Sequence, residues 1–104
     1  MIKFLKRKNT DSIRLVFKPE YAEVSVDDLT KMSLRMGKLN FGYHYVLRNG
    51  GLLEKGLDNE YFGDYEIVGY KTAICIMVTS EHLTDAQKIT LDNLQKKLSL
   101  PIKD

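Results

Sequence analysis

Residues 72–79 read TAICIMVT, and this nearly continuous apolar run constrains the fold more than any other stretch of the chain. A strand with one face in water alternates apolar and polar residues, whereas a strand buried on both faces is apolar at successive positions. The run therefore predicts a central strand that other elements cover on both faces. Within it, Cys75 is expected to be a small, buried apolar side chain.

Three further segments predict strands around this one. Residues 12–18, SIRLVFK, are β-branched and apolar enough for a strand, which Pro19 ends because its ring nitrogen cannot donate a hydrogen bond. Residues 43–48 and 52–55 predict the two strands of a hairpin. The intervening Asn-Gly pair at 49–50 favours a tight turn, since both residue types tolerate positive φ.

Two helices are predicted from capping residues and from apolar spacing. Ser25 can cap a helix over about residues 26–36, whose expected core residues are Leu29, Met32 and Met36. Thr84 and Gln87 form a capping box before a second helix that ends near Leu98. The apolar residues that we expect the second helix to bury are Ile89, Leu91, Leu94 and Leu98.

The order of the elements is strand, helix, strand, strand, long loop, strand and helix. It predicts an α/β fold in which a small mixed sheet is flanked by helices. The long loop, residues 56–71, reads GLDNEYFGDYEIVGYK and breaks both the helical and the strand periodicity. No internal repeat is present, so we expect one domain over residues 1–104.

The charges and the single cysteine limit the classes of partner and the location. The net charge is only +2, with an excess of Lys and Arg in residues 1–48 and of Asp and Glu in residues 49–104, which does not indicate nucleic-acid binding. No run of 18 apolar residues is present, so no membrane span is expected. Cys75 cannot form an internal disulfide, and the basic start lacks the apolar core of a secretory signal, which favours the cytoplasm.

Residues 41–56, FGYHYVLRNGGLLEKG, carry the most specific similarity to a known family. The stretch resembles the zinc-dependent N-acetylmuramoyl-L-alanine amidases, which include the amidase-type phage lysozymes and the peptidoglycan recognition proteins. The resemblance extends to TDSIRLVF as the family's first strand, KTAICIMV as its central strand and LTDAQKITLDNLQKKL as its last long helix. It covers about residues 10–98 and implies the amidase fold.

The zinc ligands of that family are missing from their expected positions. Family members place a zinc-binding His at the end of the first strand, where this chain has Val16, Phe17 and Lys18. The other two ligands follow the last helix in the family, whereas this chain ends at Asp104, so the resemblance implies a C-terminally truncated relative. Catalytic zinc needs three protein ligands and an open position. We therefore expect a pseudoenzyme with no metal, no other cofactor and no catalytic residue.

Tyr43 and the long loop provide most of the candidate ligand-binding residues. Tyr43 matches the family tyrosine that assists catalysis beside the zinc, and here it either keeps a ligand contact or bonds its hydroxyl at the edge of a groove. His44 is expected to be a hydrogen-bonded core histidine. The loop carries Gly-Asp-Tyr at 63–65 where active members usually carry Gly-Ala-His, and its aromatic residues either stack on a ligand or cover the edge of the sheet. The candidate ligand-binding residues are Tyr43, Arg14, Lys18, Arg48, Tyr61, Phe62, Asp64, Tyr65 and Tyr70.

Three functions remain open from the sequence. The first is an inactive amidase-like protein that captures a small ligand in the former substrate groove, either a muropeptide fragment or an anionic, nucleotide-like signal. In that case the protein could be phage-encoded and sequester a host defence signal. The second is a protein-interaction module that inhibits or regulates a partner enzyme, and the third is a residual amidase. We also expect a homodimer, because the cover that family members place over the groove is missing.

Overall fold

Five strands and two α-helices are present in a computed structural model of the protein, which describes residues 9–38 and 41–103. The elements are β1 (Ser12–Phe17), a short 3₁₀ helix (Pro19–Tyr21), α1 (Val26–Arg35), β2 (Tyr45–Leu47), β3 (Leu53–Lys55), β4 (Ala73–Val78), α2 (Asp85–Leu98) and β5 (Ile102–Lys103). The strands form one sheet in the order β3-β2-β4-β1-β5. Only β2 and β3 pair antiparallel, so the predicted mixed α/β sheet is confirmed.

The apolar run at 72–79 forms the middle strand, as predicted. All six residues of β4 are buried, and β4 pairs parallel with β1 on one side and with β2 on the other. Its side chains alternate between two apolar clusters, one on each face of the sheet. Ile74, Ile76 and Val78 pack towards α2, whereas Ala73, Cys75 and Met77 pack towards α1. We call these two sides the α2 face and the α1 face.

The second helix begins with the predicted capping box and packs on the α2 face. The Thr84 hydroxyl accepts from the Gln87 backbone N–H at 3.1 Å, and the Gln87 side-chain oxygen accepts from the Thr84 N–H at 2.9 Å. Leu91 and Leu94 are buried as predicted, and burying each leucine side chain contributes about 1.5–3 kcal/mol. The expectation that Ile89 is buried is wrong, because Ile89 is 66% exposed.

Gln87 connects α2 to the hairpin and to the end of the sheet. Its side-chain nitrogen donates to the carbonyls of Leu47 and Arg48, and its oxygen also accepts from the Ser80 hydroxyl. Gln87 is fully buried, so these partners replace the water that a buried amide needs. The same helix is tied to the hairpin turn by Thr90, whose hydroxyl donates to the Gly51 carbonyl at 2.6 Å.

The first helix packs on the α1 face and ends one residue earlier than predicted. The Ser25 hydroxyl caps it by accepting from the Asp28 N–H at 3.1 Å, and Leu29 is buried. The expectation of a core role for Met36 is wrong, because the helix ends at Arg35 and the Met36 side chain is 69% exposed. Gly37 follows with φ of +85°, a conformation that suits glycine after a helix.

The other strands are shorter than predicted, and two elements were not predicted. The 3₁₀ helix follows Lys18 directly, and the two-residue strand β5 pairs with β1 after Ser99 turns the chain in a left-handed conformation. Strand β5 has too few residues to show a periodic pattern. Neither helix in the described part of the chain is long and apolar enough to cross a membrane.

Candidate functional site

A small pocket lies on the α1 face, between the sheet, α1 and the long loop. Its volume is about 130 Å³, and we call it the α1 pocket. The end of β1 and the 3₁₀ helix form one wall, α1 forms the second, and the loop forms the third. The lining residues are Lys18, Tyr21, Leu29, Met32, Ser33, Met36, Lys38, Phe41, Tyr43, Asp64, Glu66, Ile67 and Met77. Three candidate residues, Lys18, Tyr43 and Asp64, therefore meet in one place.

Tyr43 lies just before β2 and contributes a hydroxyl to the pocket. The side chain is buried to 9% exposure, and its ring packs against Phe41 with centroids 5.3 Å apart. Within residues 9–38 and 41–103, the hydroxyl makes no hydrogen bond. Burial raises the pKa of Tyr43, and the charge of Asp64 raises it further. The phenol is consequently neutral at physiological pH and can donate a hydrogen bond.

Asp64 and Lys38 form an ion pair that joins the loop to the segment after α1. Lys38 Nζ lies 2.6 Å from Asp64 Oδ2, and the two side chains are 15% and 5% exposed. The other carboxylate oxygen of Asp64 accepts from the Glu66 N–H at 2.9 Å. Burial lowers the pKa of Lys38, but the hydrogen bond and charge of Asp64 outweigh it, so this pKa is raised overall. The pair fixes the distance between two walls of the pocket.

Gly42 allows the chain to pass close to this ion pair. Its φ is +85°, and a Cβ atom at this position would lie 2.7 Å from the Asp64 Cβ. The Asp64 N–H donates to the Gly42 carbonyl at 2.9 Å. A side chain at position 42 would therefore push the loop away from Tyr43 and open the wall of the pocket.

Lys18 follows the last residue of β1, in the stretch where the family resemblance places a zinc-binding His. Its N–H donates to the Val78 carbonyl at 2.8 Å, which extends the pairing between β1 and β4 by one residue. The half-buried side chain lines the α1 pocket. No described acidic residue pairs with its ammonium group.

Arg48 and Arg14 are not among the residues that line the α1 pocket. The Arg48 guanidinium pairs with Glu54 and donates to the carbonyls of Tyr21, Ala22 and Val24. It thereby holds the segment before α1 against the hairpin, at the edge of an open depression of about 430 Å³. Arg14 lies on β1 opposite Cys75, and its guanidinium lies close to Gly69 in the long loop.

The four loop aromatics do not form one stacking platform. The rings of Phe62 and Tyr70 contact each other edge to face, with centroids 6.0 Å apart. Tyr65 is 65% exposed, and the Lys38 Nζ atom lies 5.7 Å from the centroid of the Tyr65 ring. The carbonyl of Tyr61 contacts the ring of His44. The role of these aromatics in ligand binding stays a prediction.

His44 and Cys75 are core residues, as expected. Nδ1 of the fully buried His44 accepts from the Cys75 N–H at 2.9 Å, and Nε2 lies 2.8 Å from the Tyr61 carbonyl. These partners require a neutral ring with its hydrogen on Nε2. His44 therefore connects β4 to the long loop. In the part of the chain that the structure describes, no group of three His, Cys, Asp or Glu side chains has the arrangement of a metal site.

Several pocket residues could not be identified from the sequence. Lys38 lies more than 20 positions from Asp64 and Glu66, its two ion-pair partners, so no local pattern marks Lys38 or Glu66 as a pocket residue. Met77 was predicted only as a buried strand residue, although the alternation of β4 between two faces could have placed it beside Cys75 and Val46.

Comparisons with solved structures give several matches to proteins of one fold. The peptidoglycan recognition protein PGRP-Hd from Alvinella pompejana matches with a TM-score of 0.76 and 18% identity, over 94% of this chain and 72% of that one. The endolysin of the Thermus scotoductus bacteriophage Ph2119 matches with a TM-score of 0.73 and 17% identity, over 95% and 75%. The chain has the amidase and peptidoglycan-recognition fold. The resemblance inferred from residues 41–56 is thereby confirmed for the fold.

A third similar structure includes a ligand. Drosophila PGRP-LB, solved as a point mutant in complex with tracheal cytotoxin, matches with a TM-score of 0.73 and 12% identity, over 91% of this chain and 64% of that one. Comparison of the sequence with protein-family models and with curated proteins gives no match. At these identities the structural likeness establishes the fold alone.

Proposed function

We propose that this protein is a non-catalytic binding protein that holds a small ligand in the α1 pocket. One observation carries the proposal: Lys18, rather than a metal-binding residue, enters the pocket from the end of β1 and faces the same space as Tyr43. A lysine ammonium attracts an anion and has no lone pair for a metal. The residues at this end of the pocket favour recognition of a ligand over activation of a water molecule.

The pocket volume limits how much of a ligand can be enclosed. Ligand sites for drug-sized molecules have volumes of about 300–1,000 Å³, whereas the α1 pocket has about 130 Å³. A muropeptide fragment or a nucleotide-like signal would therefore insert one group and leave the rest over the loop. The first compound to test is tracheal cytotoxin, which is bound in the Drosophila PGRP-LB structure.

Retention of a ligand from cell extract tests the proposal. Wild-type protein is incubated with extract and gel-filtered, and small molecules are then released by denaturation and identified by mass. Met32→Trp should abolish retention, because Met32 lines the pocket and a larger ring would fill it. Ile89→Trp is the matched control, because Ile89 is exposed on α2. Equal retention by the two variants, or none by the wild type, would reject the proposal.

A protein-interaction module that regulates a partner enzyme is the second candidate. Two large apolar side chains of the long loop, Tyr65 and Val68, are exposed, and an exposed apolar pair can contribute to an interface. One stoichiometric partner that is lost with Tyr65→Ser and Val68→Ser would favour this function. Capture of the same partner by the double variant would exclude these residues as the interface.

We expect no amidase activity, and we propose a dimeric, cytoplasmic protein. A residual amidase would release peptide from purified peptidoglycan and lose this activity on chelation, and we expect no release. We propose that the protein is a homodimer. Light scattering at micromolar concentration that gives the mass of one chain would contradict this proposal. We propose a cytoplasmic, phage-encoded protein that sequesters a host signal, and ligand capture from infected-cell extract tests that role.

A further inference from the structure

The charges that line the α1 pocket are unequally paired. Lys38 contacts both Asp64 at 2.6 Å and Glu66 at 3.7 Å, so these three charges belong to one cluster on the loop side. Lys18 lines the same pocket and pairs with no acidic residue of the described chain. A bound anion stabilises the charged form of a half-buried ammonium group. The Lys18 end of the pocket is therefore suited to a negatively charged group.

A hydrogen-bond donor accompanies this ammonium. Tyr43 lines the same pocket, and its hydroxyl makes no hydrogen bond within the described residues. Burial keeps the phenol protonated, so it can donate to an anion rather than repel one. An ammonium and a phenol together satisfy the two oxygens of a carboxylate.

The rest of the pocket lining is mostly apolar, and the pocket is small. Six apolar side chains line it, namely Leu29, Met32, Met36, Phe41, Ile67 and Met77. The volume of about 130 Å³ is close to that of an apolar cavity of roughly 150 Å³ that binds benzene. The enclosed part of a ligand should therefore be one ring or one branched aliphatic group.

We propose that the α1 pocket selects a carboxylate monoanion attached to a compact apolar group, with the carboxylate between Lys18 and Tyr43. The inference rests on the proposed small-ligand function and specifies its ligand class. A dianion such as a phosphate monoester is disfavoured, because one ammonium balances one charge and the carboxylates of Asp64 and Glu66 repel a second. The carboxylate can belong to a free acid or to the C-terminal residue of a peptide.

Methionine methyl groups give a direct readout of the pocket. Met32, Met36 and Met77 line it, and the chain has only one other methionine, Met1, which lies outside the described residues. Protein labelled with ¹³C at the methionine methyls is titrated with phenylacetate as the free acid and with N-acetylphenylalanine as the peptide-like acid. Phenylacetamide is the neutral analogue, and phenyl phosphate is the dianion. A preference for phenylacetate over N-acetylphenylalanine identifies the source as a free acid, and the reverse preference identifies a peptide end.

We expect saturable shifts of these methyl signals with at least one of the two acids, and about tenfold or weaker binding of phenylacetamide, since a hydrogen bond to a charged group changes affinity by that order. Lys18→Met should remove the preference for the acid, whereas Lys18→Arg keeps it. Lys31→Met is the matched control, because Lys31 is exposed on α1 and outside the pocket. Tyr43→Phe should weaken binding of the acid more than binding of the amide.

Four outcomes would overturn the inference. Equal affinity for the acid and the amide, or tighter binding of phenyl phosphate, would exclude a carboxylate-selective pocket and leave the small-ligand function intact. Shifts caused by the small-molecule fraction of cell extract, without shifts from either acid, would also exclude a carboxylate-selective pocket and leave the small-ligand function intact. No methyl shift with any probe or extract would reject both proposals. The dispersion of the methyl signals in each variant shows whether the fold is retained.

Discussion

Lys38→Met is the substitution that best tests how the pocket is held together. Lys38 connects the end of α1 to the long loop through Asp64, whose side chain is 5% exposed. Methionine is close to lysine in length and can keep the apolar contacts of the stem. The substitution removes the ammonium and leaves the carboxylate of Asp64 buried beside Tyr43.

The expected loss in the free energy of unfolding follows from what remains around Asp64. Removing one partner of a fully buried ion pair costs about 3–5 kcal/mol. Asp64 keeps the hydrogen bond from the Glu66 N–H at 2.9 Å, which offsets part of the loss. Lys38 is 15% exposed, so water screens the pair partially. We therefore expect Lys38→Met to destabilise the protein by about 2–3 kcal/mol.

Urea unfolding at pH 7, followed by circular dichroism, measures this loss. A double-mutant cycle with Asp64→Asn should give a coupling energy above about 1 kcal/mol. The matched control is Lys31→Met, which removes an exposed lysine from α1 and should change stability by less than about 0.5 kcal/mol. If Lys38→Met were as mild as the control, the ion pair would not hold the two walls together, and the reasoning would be wrong.

Three further predictions concern the surroundings of the pocket and α2. Gly42→Ala should destabilise the fold by at least about 2 kcal/mol in the same urea assay, because φ is +85° and the new Cβ would contact Asp64. Gln87→Ala should cost about 1–3 kcal/mol by leaving buried partners unsatisfied, whereas Ile89→Ala on the same helix should change stability by less than about 0.5 kcal/mol. The pKa of Tyr43 is raised above its ordinary value of 10.0, so the stability that depends on the neutral phenol should be present below pH 10 and decline above it. Tyr43→Phe should reduce that alkaline decline and remove a late component from the ultraviolet titration of the tyrosines, and an unchanged titration would contradict the burial of this phenol.

The parts of the fold that local chemistry decides could be predicted from the sequence. The Thr84–Gln87 capping box, the Ser25 cap and the unbroken apolar run of β4 each depend on neighbouring residues, and all three are present. Ile89 was misplaced because α2 buries a narrow stripe that includes Leu91 and Leu94, and spacing alone did not exclude Ile89 from it.

The candidate site was harder to predict from the sequence, because it depends on contacts between segments that are distant in the chain. Asp64 was predicted as a ligand contact from its place in the loop, but its partner Lys38 lies 26 positions away and has no sequence signal. Arg48 was predicted to contact the ligand as one of three basic candidate residues, but it does not line the α1 pocket. The structure instead directs its guanidinium to carbonyls before α1 and to Glu54. The sequence shows which side chains are charged, whereas only the folded structure shows which charged groups pair with each other.

The non-denaturing mass spectrum of the protein after incubation with cell extract tests whether the α1 pocket holds a small ligand. We predict that the wild-type chain gains one small organic mass and that Lys18→Met does not, while Lys31→Met behaves as wild type. A bound zinc ion would contradict the claim that Lys18 replaces a metal-binding residue in function. A chain with no added mass, in extracts that contain the candidate acids at millimolar concentration, would contradict ligand capture itself.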